Sequence, residues 1–155
     1  AIEKEAGVTI ALDVADPFVV KAVTEEMKNF IAEYCDMVFL NEEEAKAITG
    51  SEDATDAIDA LKSMCDTIVV KLGKKGAVVY SKGQRAETGV FPVTAVDTTG
   101  AGDSFAAGFL YGWTHEYSLE RSVKLASRIA AETIVQVGAV VRTPNRLREL
   151  LDEIK

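Results

Sequence analysis

Thr67-Ile68-Val69-Val70 is an uninterrupted β-rich run, and a strand of this kind belongs to a sheet covered on both faces rather than to one that alternates between core and water. A similar run, Met37-Val38-Phe39-Leu40, lies upstream, and the residues between the two, Ala45 to Ile48 and Ala57 to Met64, read as helices. Val8 to Leu12 is a third β-rich stretch. Asp16-Pro17 follows it as a cap and first helical position, and Val23, Met27, Phe30, Ile31 and Tyr34 continue at helical spacing from Val20. Strand, helix, strand, helix, strand is the order of a parallel sheet, which excludes a helical bundle and an all-antiparallel sandwich.

Past Val70 the rhythm changes. Gly73-Lys74-Lys75-Gly76 leaves space only for a tight turn before Ala77 to Tyr80, and Lys82-Gly83 signals another turn into a further extended stretch. These predict antiparallel strands along one edge. A helix carrying Phe105, Phe109, Leu110 and Trp113 follows, then one from Ser118 to about Val137 with Val123, Ala126, Ala130 and Val137 as its core stripe. No repeat, low-complexity tract or linker interrupts the chain. The expected fold is a single three-layer α/β/α domain over residues 1–155, with a mostly parallel sheet and antiparallel edge strands.

Charge narrows the partners. The 155 residues carry 17 Lys and Arg against 25 Asp and Glu, a net charge of −8, which is unsuited to nucleic-acid phosphates or anionic lipid. No apolar stretch nears the ~18 residues that span a bilayer, and Ala1-Ile2-Glu3-Lys4-Glu5 is too charged for a signal peptide, so the expected location is cytoplasmic. Cys35 and Cys65 lack CxxC spacing and His115 is the one histidine, so the cysteines read as buried reduced thiols and not as part of a zinc site. Ile2 to Ala6 before Gly7 reads as the last turn of a helix, and a chain that opens inside an element is expected to be part of a longer protein.

The chemistry concentrates in Asp97-Thr98-Thr99-Gly100-Ala101-Gly102-Asp103-Ser104-Phe105. Gly100 and Gly102 precede an apolar-periodic helix, where N–H groups of residues 100–103 can converge on an anion at the positive end of the helix dipole. The alternative is that the glycines only permit a tight loop and Thr99 or Asp103 caps the helix. Neither the Walker A pattern nor the dinucleotide fingerprint is present. A carboxylate inside an anion-binding loop repels a phosphate unless a proton must be removed there, and a phosphoryl-acceptor hydroxyl supplies such a proton.

That string resembles the C-terminal signature DTxGAGD of the ribokinase-like (PfkB) carbohydrate and nucleoside kinases, at every fixed position. The resemblance implies that Asp103 is the catalytic base and that Gly100, Ala101 and Gly102 form the anion hole, with Thr98 among the nucleotide-binding residues. Asn41-Glu42-Glu43-Glu44 resembles the family's Asn-x-x-Glu motif, implying that Asn41 and Glu44 help place nucleotide phosphates and Mg²⁺, the latter through water. Taken alone, Asn41 and Glu44 are equally a capping box. Lys71-Leu72-Gly73-Lys74-Lys75-Gly76 resembles the nucleotide-phosphate turn Thr-x-Gly-x-x-Gly, with Lys71 in place of Thr. Lys71 then serves the phosphates as a point charge, or is a solvent-facing lysine at a strand end.

Asp97, the Thr99 carbonyl and residues 136–139 resemble loops that hold a monovalent cation, K⁺, in many members, although Asp97 also suits a strand-end turn. The stretch from Lys124 to Ala131 corresponds to the family's adenine pocket, with Ser127 as the candidate contact. The resemblance covers only the C-terminal, ATP-side half of such a kinase and looks closest to the adenosine-kinase branch. It implies a missing N-terminal half that carries most of the acceptor pocket and a lid through which many members form homodimers. The expected function is ATP-dependent transfer of the γ-phosphate to a hydroxymethyl group of a small-molecule sugar or nucleoside. The alternatives are a non-catalytic nucleotide-binding or interaction module derived from such a kinase, and a structural α/β domain whose glycines only make turns.

Overall fold

The computed structural model of the protein describes residues 7–142 and 144–154, so the helical turn expected at residues 2–6 lies outside the described residues. Strands β1 (Ala11–Asp13), β2 (Met37–Asn41), β3 (Thr67–Lys71), β4 (Ala77–Ser81) and β5 (Gln84–Thr88) form one sheet in that order. β1 pairs parallel with β2, and β2 with β3, in a register running from Met37↔Thr67 to Asn41↔Lys71. Parallel neighbours need long crossovers. Helices α1 (Pro17–Ala22) and α2 (Thr24–Tyr34) make the first, and α3 (Glu42–Thr49) and α4 (Ala54–Leu61) the second.

The links from β3 to β4 and from β4 to β5 are too short for crossovers, so these strands run antiparallel. Thr67, opening β3, accordingly shares a 2.8 Å hydroxyl hydrogen bond with Ser81, closing β4. Lys82 and Gly83, at φ 46° and 87°, supply the two left-handed residues of a type I′ hairpin. The sheet is therefore mixed and the architecture α/β, as the sequence predicts.

By its contacts the chain divides into two compact units, one holding residues up to Gly73 with Val78–Arg85, the other Lys74–Ala77 with Ala86 onward. In the first, Val38, Leu40, Ile68 and Val70 are fully buried together with Ile31, Ile48 and Leu61. Met37, Phe39 and Val69 are equally inaccessible, so both faces of β2 and β3 are covered and their apolar runs are explained. Each such side chain contributes about 1.5–3 kcal/mol by leaving water. Cys35 and Cys65 are buried there as thiols outside any disulfide among the described residues, and burial pushes the Cys65 thiol up to about 11.

Helices α5 (Ala101–Thr114), α6 (Leu119–Thr133) and α7 (Pro144–Glu153) build the second unit. At Gly112 of α5 a Cβ would stand 2.6 Å from the Ser122 hydroxyl of α6, so the two helices approach closely. Arg146 of α7 meets Glu132 of α6 at 3.2 Å. No helix among the described residues is long and apolar enough to cross a membrane.

Three local expectations are corrected. β1 is shorter than Val8 to Leu12: the Asp36 carboxylate takes the Ile10 N–H at 2.8 Å, and Val8 is half exposed. The helix expected from Val20 to Tyr34 breaks at Val23, where the Thr24 hydroxyl bonds back to the Val20 carbonyl at 2.9 Å and competes with the helical ladder. Phe30 is consequently 44% exposed, and Ile31 is the buried residue of α2. Finally, α6 stops at Thr133, which places Val137 outside the helix and leaves it exposed instead of in the core stripe.

Candidate functional site

In the first unit, the carboxyl ends of β1, β2 and β3 present Asp13, Asn41 and Lys71 side by side, at the edge where open α/β sheets bind ligands. Asn41 ends β2 and caps α3. Its Oδ1 accepts from the Glu44 N–H at 2.8 Å, while Glu44 Oε2 accepts from the Asn41 N–H and Oε1 from Asn41 Nδ2, both at 2.7 Å. The capping box is complete, and Glu44 is only 3% exposed. Burial pushes the Glu44 carboxyl above its ordinary range; the Asn41 N–H and the Lys71 charge pull it back, and Asp13 and Asp16 push it up again.

Lys71 does not face solvent. Its Nζ reaches both Asp13 carboxylate oxygens, at 2.8 and 3.0 Å, across β2. The lysine that replaces the expected threonine is thus a positive charge held in place by the Asp13 carboxylate. Asp13 was missed by sequence reasoning because it is 58 residues from Lys71, and only the parallel register brings them together. Gly73 opens the 3₁₀ turn Gly73–Lys75 with φ 54°.

In the second unit, α5 starts directly after Gly100, whose φ of 76° is left-handed and whose Cβ, if it had one, would lie 2.5 Å from Ala139. No side chain caps this helix: neither Thr99 nor Asp103 makes the capping hydrogen bond. The Ala101 N–H is spent on the Thr98 carbonyl at 3.2 Å, and Thr98 and Thr99 are exposed. Asp103 sits in the first turn, exposed, with no hydrogen bond or ion pair to its carboxylate among the described residues.

Asp97 holds the loop together. Its Oδ1 accepts from the Thr99 N–H at 2.9 Å and its Oδ2 from the Gly138 N–H at 3.0 Å. These bonds, the Gly138 one foremost, hold its carboxyl down at about 2. The Val96 N–H reaches the Ile134 carbonyl at 2.7 Å, so the loop is tied to the end of α6. Asp97, Thr99 and Gly138 are therefore brought together.

Ser127 is 6% exposed on α6 and donates its hydroxyl to the Gly89 carbonyl at 2.9 Å. Beside it lies an open cavity of about 290 Å³, walled by residues 87–91 and by Glu120 and Lys124 of α6. Gly76, at φ 101°, packs on the same segment: a Cβ there would overlap the Thr88 carbonyl oxygen.

Among the described residues no three Asp, Glu, His or Cys side chains are arranged to hold a metal ion. Mg²⁺ is ordinarily held through one or two carboxylates with water and phosphate oxygens, and Glu44, both of whose oxygens accept from Asn41, suits it only through water.

A model of the pfkB family carbohydrate kinases matches residues 1–146. The chain is 32% identical over 155 residues to a ribokinase of Haemophilus influenzae, covering 96% of this chain and 48% of that protein. It is 39% identical over 107 residues to a cytidine kinase of Thermococcus kodakarensis, covering 66% of this chain and 38% of that one. Among solved structures, adenosine kinase from Sinorhizobium meliloti superposes with a TM-score of 0.90 at 33% identity, over 99% of this chain and 47% of that one. The chain spans about half the length, or less, of the curated relatives it matches.

Proposed function

The chain belongs to the pfkB family of carbohydrate kinases, and from that premise we propose that the whole protein transfers the γ-phosphate of ATP to a hydroxymethyl group of a sugar or nucleoside. The observation that carries this reading is a helix start left without a side-chain cap, with an exposed carboxylate, Asp103, that has no partner among the described residues in its first turn. Free helix N–H groups suit the oxygens of a transferring phosphoryl group, and Gly100, Ala101 and Gly102 let the backbone approach it without obstruction. Asp103 accepts the acceptor hydroxyl's proton as its oxygen attacks phosphorus; the bond from phosphorus to the departing ADP oxygen breaks.

In one unit Asn41, Gly73 and Lys71, held by Asp13, are the proposed contacts to the nucleotide phosphates, and in the other Gly76 and Thr98 are. Glu44 would hold Mg²⁺ through water, and the ion would supply positive charge to the phosphates. The Asp97 and Thr99 loop takes K⁺, and the nucleoside end of ATP lies against α6 near Lys124 and Ser127. The acceptor pocket is expected from the remainder of the whole protein.

The test is ATP-dependent phosphorylation of a panel of sugars and nucleosides by the full-length protein, with products identified by mass. One or more hydroxymethyl compounds should gain a single phosphoryl group in a Mg²⁺-dependent way, and Asp103→Asn should not support it. Nucleotide binding with no transfer to any acceptor would favour the non-catalytic module instead.

A further inference from the structure

β5 ends at Thr88, and residues 89–96 continue without regular structure. Where this segment leaves the sheet it is gripped twice. The Gly89 carbonyl accepts from the Ser127 hydroxyl at 2.9 Å and from Thr88 Oγ1 at 3.1 Å. Gly76 meets the Thr88–Gly89 peptide so closely that a Cβ would overlap the Thr88 oxygen and stand 2.9 Å from Gly89 Cα. Farther on, the Arg128 guanidinium lies 5.3 Å from the centre of the Phe91 ring.

A serine has one proton to donate, and that of Ser127 is committed to Gly89 from a site 6% exposed. What the hydroxyl does control is the position of residues 88–91, one wall of the cavity. The other wall, Glu120 and Lys124, shares a helix face with Ser127, at spacings of four and three residues. We propose that Ser127 is a positioning residue: it clamps the Thr88–Phe91 segment between α6 and the Gly76 turn, and sets nucleotide affinity by fixing that wall without itself touching the nucleotide. This rests on the reading above that the nucleoside end of ATP lies against α6.

Ser127→Ala in the full-length protein should raise the Kd and KM for ATP about five- to ten-fold, the worth of one buried hydrogen bond, with kcat and the acceptor KM within two-fold. Without nucleotide, amide hydrogen exchange in peptides covering 88–92 should quicken by a similar factor while β2 and β3 exchange as before. Ser127→Cys keeps the volume and weakens the donor, so it should move both readouts the same way by less, and it carries the test if the alanine variant does not fold. A raised KM with unchanged exchange at 88–92 would mean that Ser127 contacts the nucleotide directly and would overturn the proposal. So would equal losses in kcat and kcat/KM with faster exchange throughout α6, the mark of a purely structural residue. A wild-type protein that neither binds nor uses nucleotide defeats the kinase reading, whereas unchanged exchange at 88–92 in both variants defeats the clamp.

Discussion

The box at the end of β2 and the loop that heads α5 are both places where a helix begins next to carboxylates, and they treat them in opposite ways. At Asn41 and Glu44 every side-chain nitrogen and oxygen is engaged within the pair, and Glu44 is buried. At residues 97–103 one carboxylate, Asp97, is consumed in holding the loop, while the second, Asp103, is exposed and engaged with nothing among the described residues. A carboxylate left out of internal hydrogen bonds is open to a substrate proton, as the proposed role of Asp103 requires. Substitutions should therefore separate the two regions by stability: Asp103 should lose turnover with the fold intact, whereas Asn41 and Glu44 should lose stability along with any part they play at the nucleotide.

The largest separation is expected in turnover. Asp103→Asn should lower kcat by about 10²- to 10⁴-fold, the usual range for removing a general base, while ATP affinity stays within a few-fold and the melting temperature within a few degrees. Steady-state kinetics beside a thermal melt would show it. Survival of most of the turnover would remove Asp103 from the mechanism.

Next comes the backbone of the same loop. Gly100→Ala forces a side chain into a left-handed conformation and against Ala139, at a cost of about 2–3 kcal/mol in denaturant unfolding. The matching change in the other region, Asn41→Ala, removes a cap and should cost about 1–2 kcal/mol, because it also leaves the buried Glu44 carboxylate without the Asn41 amide. If Gly100→Ala proved the milder of the two, the tight packing of the loop on Ala139 would not be what holds it.

How much of this was legible in the sequence follows the distance over which each signal acts. The buried strands, the Asp16 cap, the Lys82–Gly83 hairpin and the complete Asn41–Glu44 box are written within a few residues, and the structure has them where the pattern puts them. The break at Val23 was obscured because the apolar spacing continues through it, although the Thr24 hydroxyl that competes with the ladder is itself local. The links from Lys71 to Asp13, Asp97 to Gly138 and Ser127 to Gly89 join residues 58, 41 and 38 positions apart. No local pattern encodes those pairings; strand register and helix packing create them. They also alter chemistry: Lys71 is an anchored charge instead of a free one, and Ser127 spends its donor within the protein.

The finest contrast lies in how the two engaged carboxylates respond to acid. Asp97 titrates in the fold at about 2, below its ordinary 3.8, because the Gly138 and Thr99 N–H groups bond its charged form. Its contribution to stability is thus complete above about pH 4 and is lost as pH falls toward 2. Glu44 is displaced the other way, above its ordinary 4.5, chiefly by burial, so its protonated form is the one the fold favours. Its contribution is complete below about pH 4.5 and is lost as pH rises through the raised value. Denaturant unfolding measured from pH 2 to 8 should therefore show the Asp97→Asn difference from wild type changing on the acid side of pH 4 and staying flat above it. The Glu44→Gln difference should change only on the alkaline side of pH 4.5, and in the opposite sense, since glutamine removes a charge that the folded state disfavours. An Asp97→Asn protein that keeps the full wild-type acid limb would show that the Gly138 and Thr99 hydrogen bonds do not hold the charged carboxylate in solution. The loop ahead of Asp103 would then need another source of order.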